Sequence, residues 1–478
     1  MKTEVVVKRL NASHQKESFT NFKPLNSKLV NEIKICVKDI FDRLGGASLL
    51  KSSGEVYIKP NAVDSKAYSH TRVEVLREII EYWKKNGAKK IFLFENATQG
   101  NYTRLVYYGT GYTKLCKQTG SVPVFLDEEK SETLAFTGKK KQSKNNPEGY
   151  ELISFEMPET VMRLIREREK YLYINVPKLK THSMGVVTLG IKNQWGFPMH
   201  RSRGADHNYN LPSKLVDVLG YIEPDITIIE GVEGSIYGHY FATALADEQV
   251  RPFKILIGSK NVIAADIAGS KIFGFNVNDV PHLKIAIEKG LGHGVKNLDD
   301  IKLTGDVTDL SNIDLMGDMP ESGSYPWDLY PSFPKDVTII KGLKRACREG
   351  CVNNPLCAMQ TMYLDHKGKG GWTLLMGKGH DKDVVNSITG KVLVVGNCAI
   401  KEVSETLITR LGKTNVYLSS ECNNICETAN ALFHLMKVNP INYVPGNPIT
   451  SLFALIMAKM NGSTSRVPSP LAHIFKMV

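Results

Sequence analysis

Along the first part of the chain, short apolar runs alternate with longer segments whose apolar residues recur every three or four positions. Residues 55–59 and 90–95 are short runs that predict strands, whereas residues 71–83 have the amphipathic spacing of a helix. The alternation returns with a predicted helix at 160–168 and a predicted buried strand at 171–176. This βαβ rhythm predicts an α/β fold with a mainly parallel sheet covered by helices.

The alternation stops between residues 305 and 335, where proline-containing sequence breaks any periodicity, and it resumes afterwards. The predicted elements of this later part are strands at 391–396 and 415–418 and helices at 401–411 and 429–438. We therefore expect an α/β domain with a lysine/histidine site at 1–310, a linker at 311–335, and a second, smaller α/β domain rich in cysteine at 336–478.

Residues 176–182 place cations and an imidazole directly after a predicted buried strand. Lys180 and His182 lie in this segment, and Lys192 follows an apolar stretch ten residues after the histidine. Ligands of open α/β sheets bind at the carboxyl ends of the strands. A lysine in a low-dielectric site can act as a base, a Schiff-base former or an anion clamp. The alternative is that these lysines are solvated surface residues.

Polar residues also follow other predicted strands. The predicted strand at 225–229 leads into acidic residues, and the polar segment 198–212 interrupts the apolar pattern. Such an excursion is typical of a functional loop, although loop residues that pair with one another are the alternative. We expect these side chains to converge at one edge of the sheet, with Lys180, His182 and Lys192 as catalytic residues, Lys59, Asn61, Asn193, Arg203 and Glu230 as substrate-binding residues, and His207 as a metal ligand.

The formal net charge of +12 favours anionic partners. The densest basic cluster, residues 139–144, lies among glycine, asparagine and proline and predicts a solvated loop, so we do not expect nucleic-acid binding. A small carboxylate or phosphate substrate accounts for the charge equally well. The sequence has no apolar run long enough to span a membrane and no secretory h-region at its start, so we expect a cytoplasmic location.

Six of the eight cysteines lie in the last third of the chain, at Cys347, Cys351, Cys357, Cys398, Cys422 and Cys426. Without a secretory signal, this usage indicates thiols, metal ligands or redox chemistry and not a disulfide framework. The spacing matches no standard zinc or ferredoxin motif. We expect an iron–sulfur cluster held by four among Cys351, Cys357, Cys398, Cys422 and Cys426. A redox dithiol and buried inert cysteines are the alternatives.

Several motifs of the first domain resemble the domain-of-unknown-function 362 family over residues 50 to 305. They are residues 58–61, 175–182 and 188–193, His207, Glu230 and Gly231 with Gly234, and Ala265 with Asp266. Some members of that family carry iron–sulfur domains. The spacing of His182, Lys192 and His207 is also similar to that of lactate racemase. That resemblance implies an acid–base role for His182, a nickel-cofactor tether at Lys192 and a metal ligand at His207, with nickel or another divalent metal in the main domain.

The sequence therefore leads to two functional hypotheses. The first is a metal- or iron–sulfur-dependent enzyme that performs redox or metal-assisted chemistry on a small anionic substrate and exchanges electrons with a redox partner protein. The second is a non-enzymatic iron–sulfur electron-transfer or metal-handling protein, in which the cysteines carry the whole function.

Overall fold

The protein is described from a computed structural model, which covers residues 2–13, 18–98, 101–136, 154–182, 184–200, 202–203, 211–236, 238, 241–310, 332–420 and 424–465. The strands are β1 (Thr3–Arg9), β2 (Glu55–Pro60), β3 (Lys90–Glu95), β4 (Val122–Phe125), β5 (Ser131–Ala135), β6 (Ser154–Pro158), β7 (Leu172–Val176), β8 (Lys178–His182), β9 (Val186–Thr188), β10 (Ile226–Ser235), β11 (Val250–Arg251), β12 (Ile255–Ser259), β13 (Ile301–Gly305), β14 (Thr338–Lys341), β15 (Trp372–Met376), β16 (Lys391–Val395) and β17 (Val416–Ser419).

The α-helices alternate with these strands as the sequence predicts. They span Ser27–Leu44, Val73–Lys85, Thr103–Thr110, Tyr112–Thr119, Glu159–Arg166, Gly190–Asn193, Leu211–Tyr221, Ala246–Gln249, Val262–Ile272, Pro281–Glu288, Asn354–His366, Lys382–Ser387, Asn397–Leu411, Ile425–Leu435 and Pro448–Met460.

A large sheet organises the first part of the chain. Its main path runs β13-β1-β12-β10-β7-β2-β3-β4, with β8, β9 and β11 attached around β10. The neighbours from β10 through β4 are parallel, whereas β12 is antiparallel to both β1 and β10. The prediction of a mainly parallel α/β sheet is confirmed, and the carboxyl ends of β2, β3 and β7 therefore lie along the same edge.

Both faces of this sheet are covered, because alternate residues of each strand enter different hydrophobic clusters. In β2, Val56 packs in the cluster that contains residues of the helix Val73–Lys85, whereas Tyr57 packs in the cluster that contains residues of Val262–Ile272. Successive strand side chains point to opposite faces, so each strand contributes to two cores. This packing explains why the central strands are apolar throughout and not alternately polar.

Two polar segments expected after strand ends are themselves strands. Residues 178–182 form β8 instead of a loop, because Pro177 is followed by pairing with β10 on one side and with β9 on the other. The strand that contains Glu230 continues to Ser235 instead of ending at 229, because β8 and β12 supply partners along its length. The charged residues of both segments are therefore buried in the sheet and not displayed on loops.

A smaller sheet follows in the order β14-β15-β16-β17, with every pair parallel. It confirms a second α/β region at the end of the chain. Lys66 of the first region forms an ion pair with Asp365 of the second at 2.9 Å, and the helix Pro448–Met460 packs on Tyr102 and Leu105. Within the described residues, no helix combines the length and apolar character needed to cross a membrane.

Candidate functional site

Four charged side chains form a fully paired group beneath the edge of the sheet, which we call the closed ion network: Arg72, Lys178, Glu230 and Glu233. The Lys178 amine donates to both carboxylate oxygens of Glu230 at 2.7 and 3.0 Å, and the Arg72 guanidinium donates to both oxygens of Glu233. Burial raises the pKa of Glu230, while Lys178 opposes the shift. Each of the two cations thus meets a carboxylate, and Glu74 also contacts Arg72 at 3.4 Å.

A second ion pair lies at the ends of β2 and β3. The Lys59 amine donates to Glu95 at 2.5 Å, and Glu95 also accepts from the backbone N–H groups of Asn96 and Ala62. Burial lowers the pKa of Lys59, and Glu95 opposes the shift. Gly196 lies against this pair, since a Cβ there would be 2.7 Å from Glu95 and 2.8 Å from Lys59.

Lys180 is buried without a carboxylate partner among the described residues. Its amine donates to two uncharged oxygens, the Asn61 side chain at 2.7 Å and the Ser69 carbonyl at 2.5 Å. Burial lowers its pKa well below the ordinary value, and the charges of Lys192 and Lys178 lower it further. Neutral oxygens stabilise the ammonium ion less than a carboxylate does, so these hydrogen bonds offset the effect of burial less than an ion pair would.

Lys192 lies on the short helix Gly190–Asn193 and is 9% exposed. Within the described part of the chain, no hydrogen bond or ion pair engages its amine. Burial lowers its pKa to about 7, with further lowering by Arg203 and Lys59. This amine therefore divides between its charged and neutral forms near neutral pH, which is the condition for proton transfer or nucleophilic attack.

Arg203 supplies the third buried cation. It donates to the backbone carbonyl of Ala97 at 2.5 Å and to the side-chain oxygen of Asn96 at 3.0 Å, and its Nε has no hydrogen-bond partner among the described residues. Burial lowers its pKa to about 10, so it stays charged at neutral pH. We call Lys180, Lys192 and Arg203 the cation centre.

His182 lies beside this centre at the end of β8. Its Nδ1 accepts hydrogen bonds from the backbone N–H groups of Met184 at 3.0 Å and Gly185 at 3.1 Å. A neutral imidazole with an accepting Nδ1 carries its proton on Nε2, which can then donate to a ligand oxygen. A Cβ on Gly185 would be 3.7 Å from the Cδ of Lys192 and 3.8 Å from the Nδ1 of His182, so both side chains flank Gly185.

Asn193 and Asp266 hold the helix that carries Lys192. Asn193 accepts from Asn61 at 2.8 Å and donates to Asn175 at 2.7 Å. Asp266 accepts from the backbone N–H groups of Gly190 at 2.7 Å and Ile191 at 2.9 Å. Burial raises the pKa of Asp266 to about 7, and those two hydrogen bonds oppose the shift. These contacts position Lys192 from strands and helices distant in sequence.

The structure brings most of the predicted site residues of the first region into this connected group. Lys59, Asn61, Lys180, His182, Lys192, Asn193 and Arg203 surround the cation centre or bond to residues that form it. Glu230 belongs to the closed ion network, where both its oxygens already accept hydrogen bonds, and its role in substrate binding stays a prediction. His207 lies outside the described residues.

Sequence reasoning did not select four residues that shape the site: Arg72, Glu95, Lys178 and Glu233. Glu95 carried a usable signal, because a carboxylate directly after an apolar strand must meet a partner once that strand end is buried. Arg72 carried none, because an arginine before an amphipathic helix is an ordinary surface residue.

Three cysteines of the second region, Cys351, Cys398 and Cys426, lie around the ends of β16 and β17. Cys398 and Cys426 are each the second residue of the helix that follows its strand, and the Cys351 sulfur is 2.9 Å from where a Cβ on Gly396 would lie. Burial raises the pKa of Cys357 to about 12. Cys422 lies outside the described residues. Among residues that are described, no three histidine, cysteine or acidic side chains form a group that could hold a metal ion.

Three comparisons relate this chain to known proteins. Residues 56–271 match a family model described as Domain of unknown function (DUF362). The chain is 24% identical over 272 residues to the thylakoid-associated protein sll1697 of Synechocystis, a match that covers 53% of this chain and 74% of that protein. A crystal structure of a Thermotoga maritima protein aligns with 86% of this chain and 83% of its own, at 10% identity and a TM-score of 0.33.

Proposed function

We propose that this chain, whose residues 56–271 belong to the DUF362 family, is an enzyme that binds a small anionic substrate at the cation centre. The carboxylate or phosphate group of that substrate would accept hydrogen bonds from Lys192, Arg203 and the His182 Nε2. Such an anion would accept the charge-assisted hydrogen bonds that no carboxylate of the described residues accepts from these cations.

The observation that carries the proposal is the contrast in pairing among the buried cations. Lys59, Lys178 and Arg72 all contact carboxylates, whereas Lys180, Lys192 and Arg203 have none among the described residues. Burial disfavours the charged form of each of these three side chains, and a bound anion would favour it, so the cluster fits an anion-binding site.

Lys192 and His182 would move protons at the bound substrate. Because burial and the charges of Arg203 and Lys59 lower the pKa of Lys192 to about 7, its amine can both accept and release a proton near neutral pH. His182, beside it, presents a donor to a developing negative charge on oxygen. Proton transfer next to a carboxylate or phosphate group is the chemistry that this arrangement supports best.

Calorimetric titration of the full chain with acetate and with inorganic phosphate, slightly below neutral pH, tests the proposal. We expect saturable binding of at least one anion, and a loss of affinity of about tenfold or more in Lys192→Met, since one charge-assisted contact contributes about 1.5–3 kcal/mol. Lys38→Met is the matched control, because it removes the same charge from an exposed site. Equal loss in both variants, or no binding to the parent protein, would refute the proposal.

A second proposed function is redox work by an iron–sulfur cluster in the cysteine-rich region, in exchange with a redox partner protein. Its support is the close packing of the Cys351 sulfur against Gly396, directly before the helix that carries Cys398, with Cys426 in the helix that follows the neighbouring strand. Thiolates near helix N-termini are suitable ligands for such a cluster. If this were the whole function, Lys192→Met would leave the redox behaviour unchanged.

Anaerobic purification followed by iron, sulfide and nickel analysis tests the proposed metals. Four ligands are expected among Cys351, Cys357, Cys398, Cys422 and Cys426, and a Cys398→Ala variant should lose iron while Cys36→Ala keeps it, because Cys36 is buried in the first region. Colourless parent protein without iron would refute the proposed iron–sulfur cluster. Nickel bound to the parent but lost in His207→Ala would support a divalent metal in the main domain.

We propose a cytoplasmic location, and the relative described as thylakoid-associated provides the competing expectation. The helix Pro448–Met460 leaves Ile449 80%, Phe453 62% and Met460 76% exposed. Exposed apolar surface of this kind can attach a protein to a membrane surface or to another protein. Sedimentation of a cell lysate distinguishes the locations, since recovery in the membrane fraction that is lost in Phe453→Ser would overturn the cytoplasmic proposal.

A further inference from the structure

We infer that Lys192 forms an imine with the carbonyl carbon of a small anionic carbonyl compound, such as a 2-oxo acid, held in the cation centre. The inference rests on the proposed function, because the anionic group of this compound is what the centre would bind. It adds to that function a covalent step and a substrate class.

Lys192 differs from the other buried lysines of the site in the freedom of its amine. The amines of Lys59, Lys178 and Lys180 all donate to side-chain oxygens at 2.5–3.0 Å. No such bond engages Lys192 in the described part of the chain, and its side chain keeps 9% exposure. An amine whose lone pair must attack a carbon atom needs this combination of access and absence of competing hydrogen bonds.

The surroundings also keep a neutral amine available. Burial lowers the pKa of Lys192 to about 7, and the charges of Arg203 and Lys59 add to the shift. At neutral pH its unprotonated fraction is on the order of a thousandfold that of an ordinary lysine. Arg203 stays charged under the same conditions, so one side chain can bind the anion while its neighbour attacks the carbonyl.

The step balances without an oxidant or a reductant. The nitrogen lone pair of Lys192 attacks the carbonyl carbon, and the C=O π electrons move to oxygen. The resulting carbinolamine loses its hydroxyl group as water, with the two amine protons accounting for the water hydrogens, and a C=N bond remains. His182 flanks Gly185 together with Lys192, and in this proposal its Nε2 proton goes to the departing oxygen and is replaced by a proton from the amine.

Reductive trapping of the full chain tests this inference. The protein is incubated with pyruvate, dihydroxyacetone phosphate or acetone in the presence of cyanoborohydride, digested, and analysed by peptide mass spectrometry. We expect one of the two anionic ketones to label Lys192 at least about tenfold more than any other lysine, because the cation centre would hold the anionic group of that ketone beside an amine with a large unprotonated fraction. Acetone, which lacks the anionic group, should not show this preference. The carboxylate and phosphate arms identify which anion the site takes.

Two variants and one competitor give the controls. Lys192→Arg keeps the charge but removes the nucleophilic amine and should lose the label, whereas Lys51→Arg, at an ion pair with Asp225, should retain it. Acetate or inorganic phosphate at saturation should protect Lys192. Anion binding by calorimetry without any Lys192 adduct overturns the imine and leaves the anion site standing. Absence of anion binding overturns both, and equal labelling of many lysines overturns the imine.

Discussion

The closed ion network and the cation centre are built from the same residue types but differ in their partners. Lys178 and Lys180 lie two residues apart on β8 and are both buried. On the neighbouring β10, Lys178 pairs in register with Glu230, whereas Lys180 pairs with Ser235. Lys178 donates to the Glu230 carboxylate, whereas Lys180 donates to neutral oxygens of Asn61 and Ser69.

This difference separates a structural role from a functional one. A cation with a dedicated carboxylate stabilises the fold and has little capacity left for a ligand. A buried cation without a dedicated carboxylate carries a destabilising charge, which a bound anion can compensate. Burial of charged residues alone therefore does not identify the site, and the pairing of each charge does.

The largest expected effect comes from breaking the closed ion network. Glu230→Ala leaves Lys178 with only the more distant Glu233, at 3.6 Å, and we expect a loss of about 3–5 kcal/mol in the free energy of unfolding. Urea denaturation measures it. Glu230→Gln is the control, because it keeps the side-chain volume and should cost less. A loss below about 1 kcal/mol for Glu230→Ala would show that the network does not stabilise the fold.

A smaller effect is expected from crowding the Lys59–Glu95 pair. In Gly196→Ala the added Cβ would lie 2.7 Å from Glu95 and 2.8 Å from Lys59, which forces the pair apart and should cost about 1–3 kcal/mol. Gly185→Ala is the matched substitution beside Lys192, where the nearest atoms are at 3.5 Å or more, and should change stability by less than about 0.5 kcal/mol. Thermal unfolding of both variants checks the prediction, and equal losses would contradict it.

Removing a charge from the cation centre should raise the free energy of unfolding instead of lowering it. Lys192→Met replaces a buried amine that is unpaired among the described residues with an apolar side chain of similar length, so we expect the free energy of unfolding to rise by about 1 kcal/mol at neutral pH. Lys178→Met should instead be destabilising, because it leaves the buried Glu230 carboxylate without its lysine partner. Denaturant unfolding of the pair compares the two lysines directly. If Lys192→Met lowered the free energy of unfolding as much as Lys178→Met does, the distinction between the cation centre and the closed ion network would be refuted.

The smallest expected effect is the pH dependence of the stability gained in Lys192→Met. Burial lowers the pKa of Lys192 to about 7 in the folded protein from 10.5, so between these values the unfolded chain binds more protons than the folded one. The stability contributed by this residue therefore rises with pH from about 7 towards 10. Unfolding measured at several pH values should show the advantage of Lys192→Met shrinking across this window. A constant or growing difference would contradict the lowered pKa.

Much of the fold follows from local pattern. The helix Val73–Lys85 and the strands Lys90–Glu95 and Val416–Ser419 lie within a few residues of their predicted bounds, because apolar spacing reports directly on which face is buried. The pattern was misleading at β8 and at the end of β10. There the polar residues resemble loop sequence, and only pairing with neighbouring strands makes their burial possible.

The candidate site was predictable in its residue classes but not in its pairing. Lys180, His182 and Lys192 are visible as a dense group after a predicted strand, and the structure brings them together. Arg72 and Glu233 lie 161 positions apart along the chain, and nothing local marks them as partners. Long-range contacts between ordinary charged residues have no periodic signal.

By itself, the sequence determined the α/β class, the order of the main elements and the gathering of lysine and histidine near one strand end, because these depend on spacing along a few turns or one strand. Only the tertiary structure decided which cations are neutralised. Glu230 reaches Lys178 across 52 residues, and Asp266 anchors the helix of Lys192 from 76 residues away. The charge and proton affinity of a buried lysine depend on its neighbours in space, and those neighbours come from distant parts of the chain.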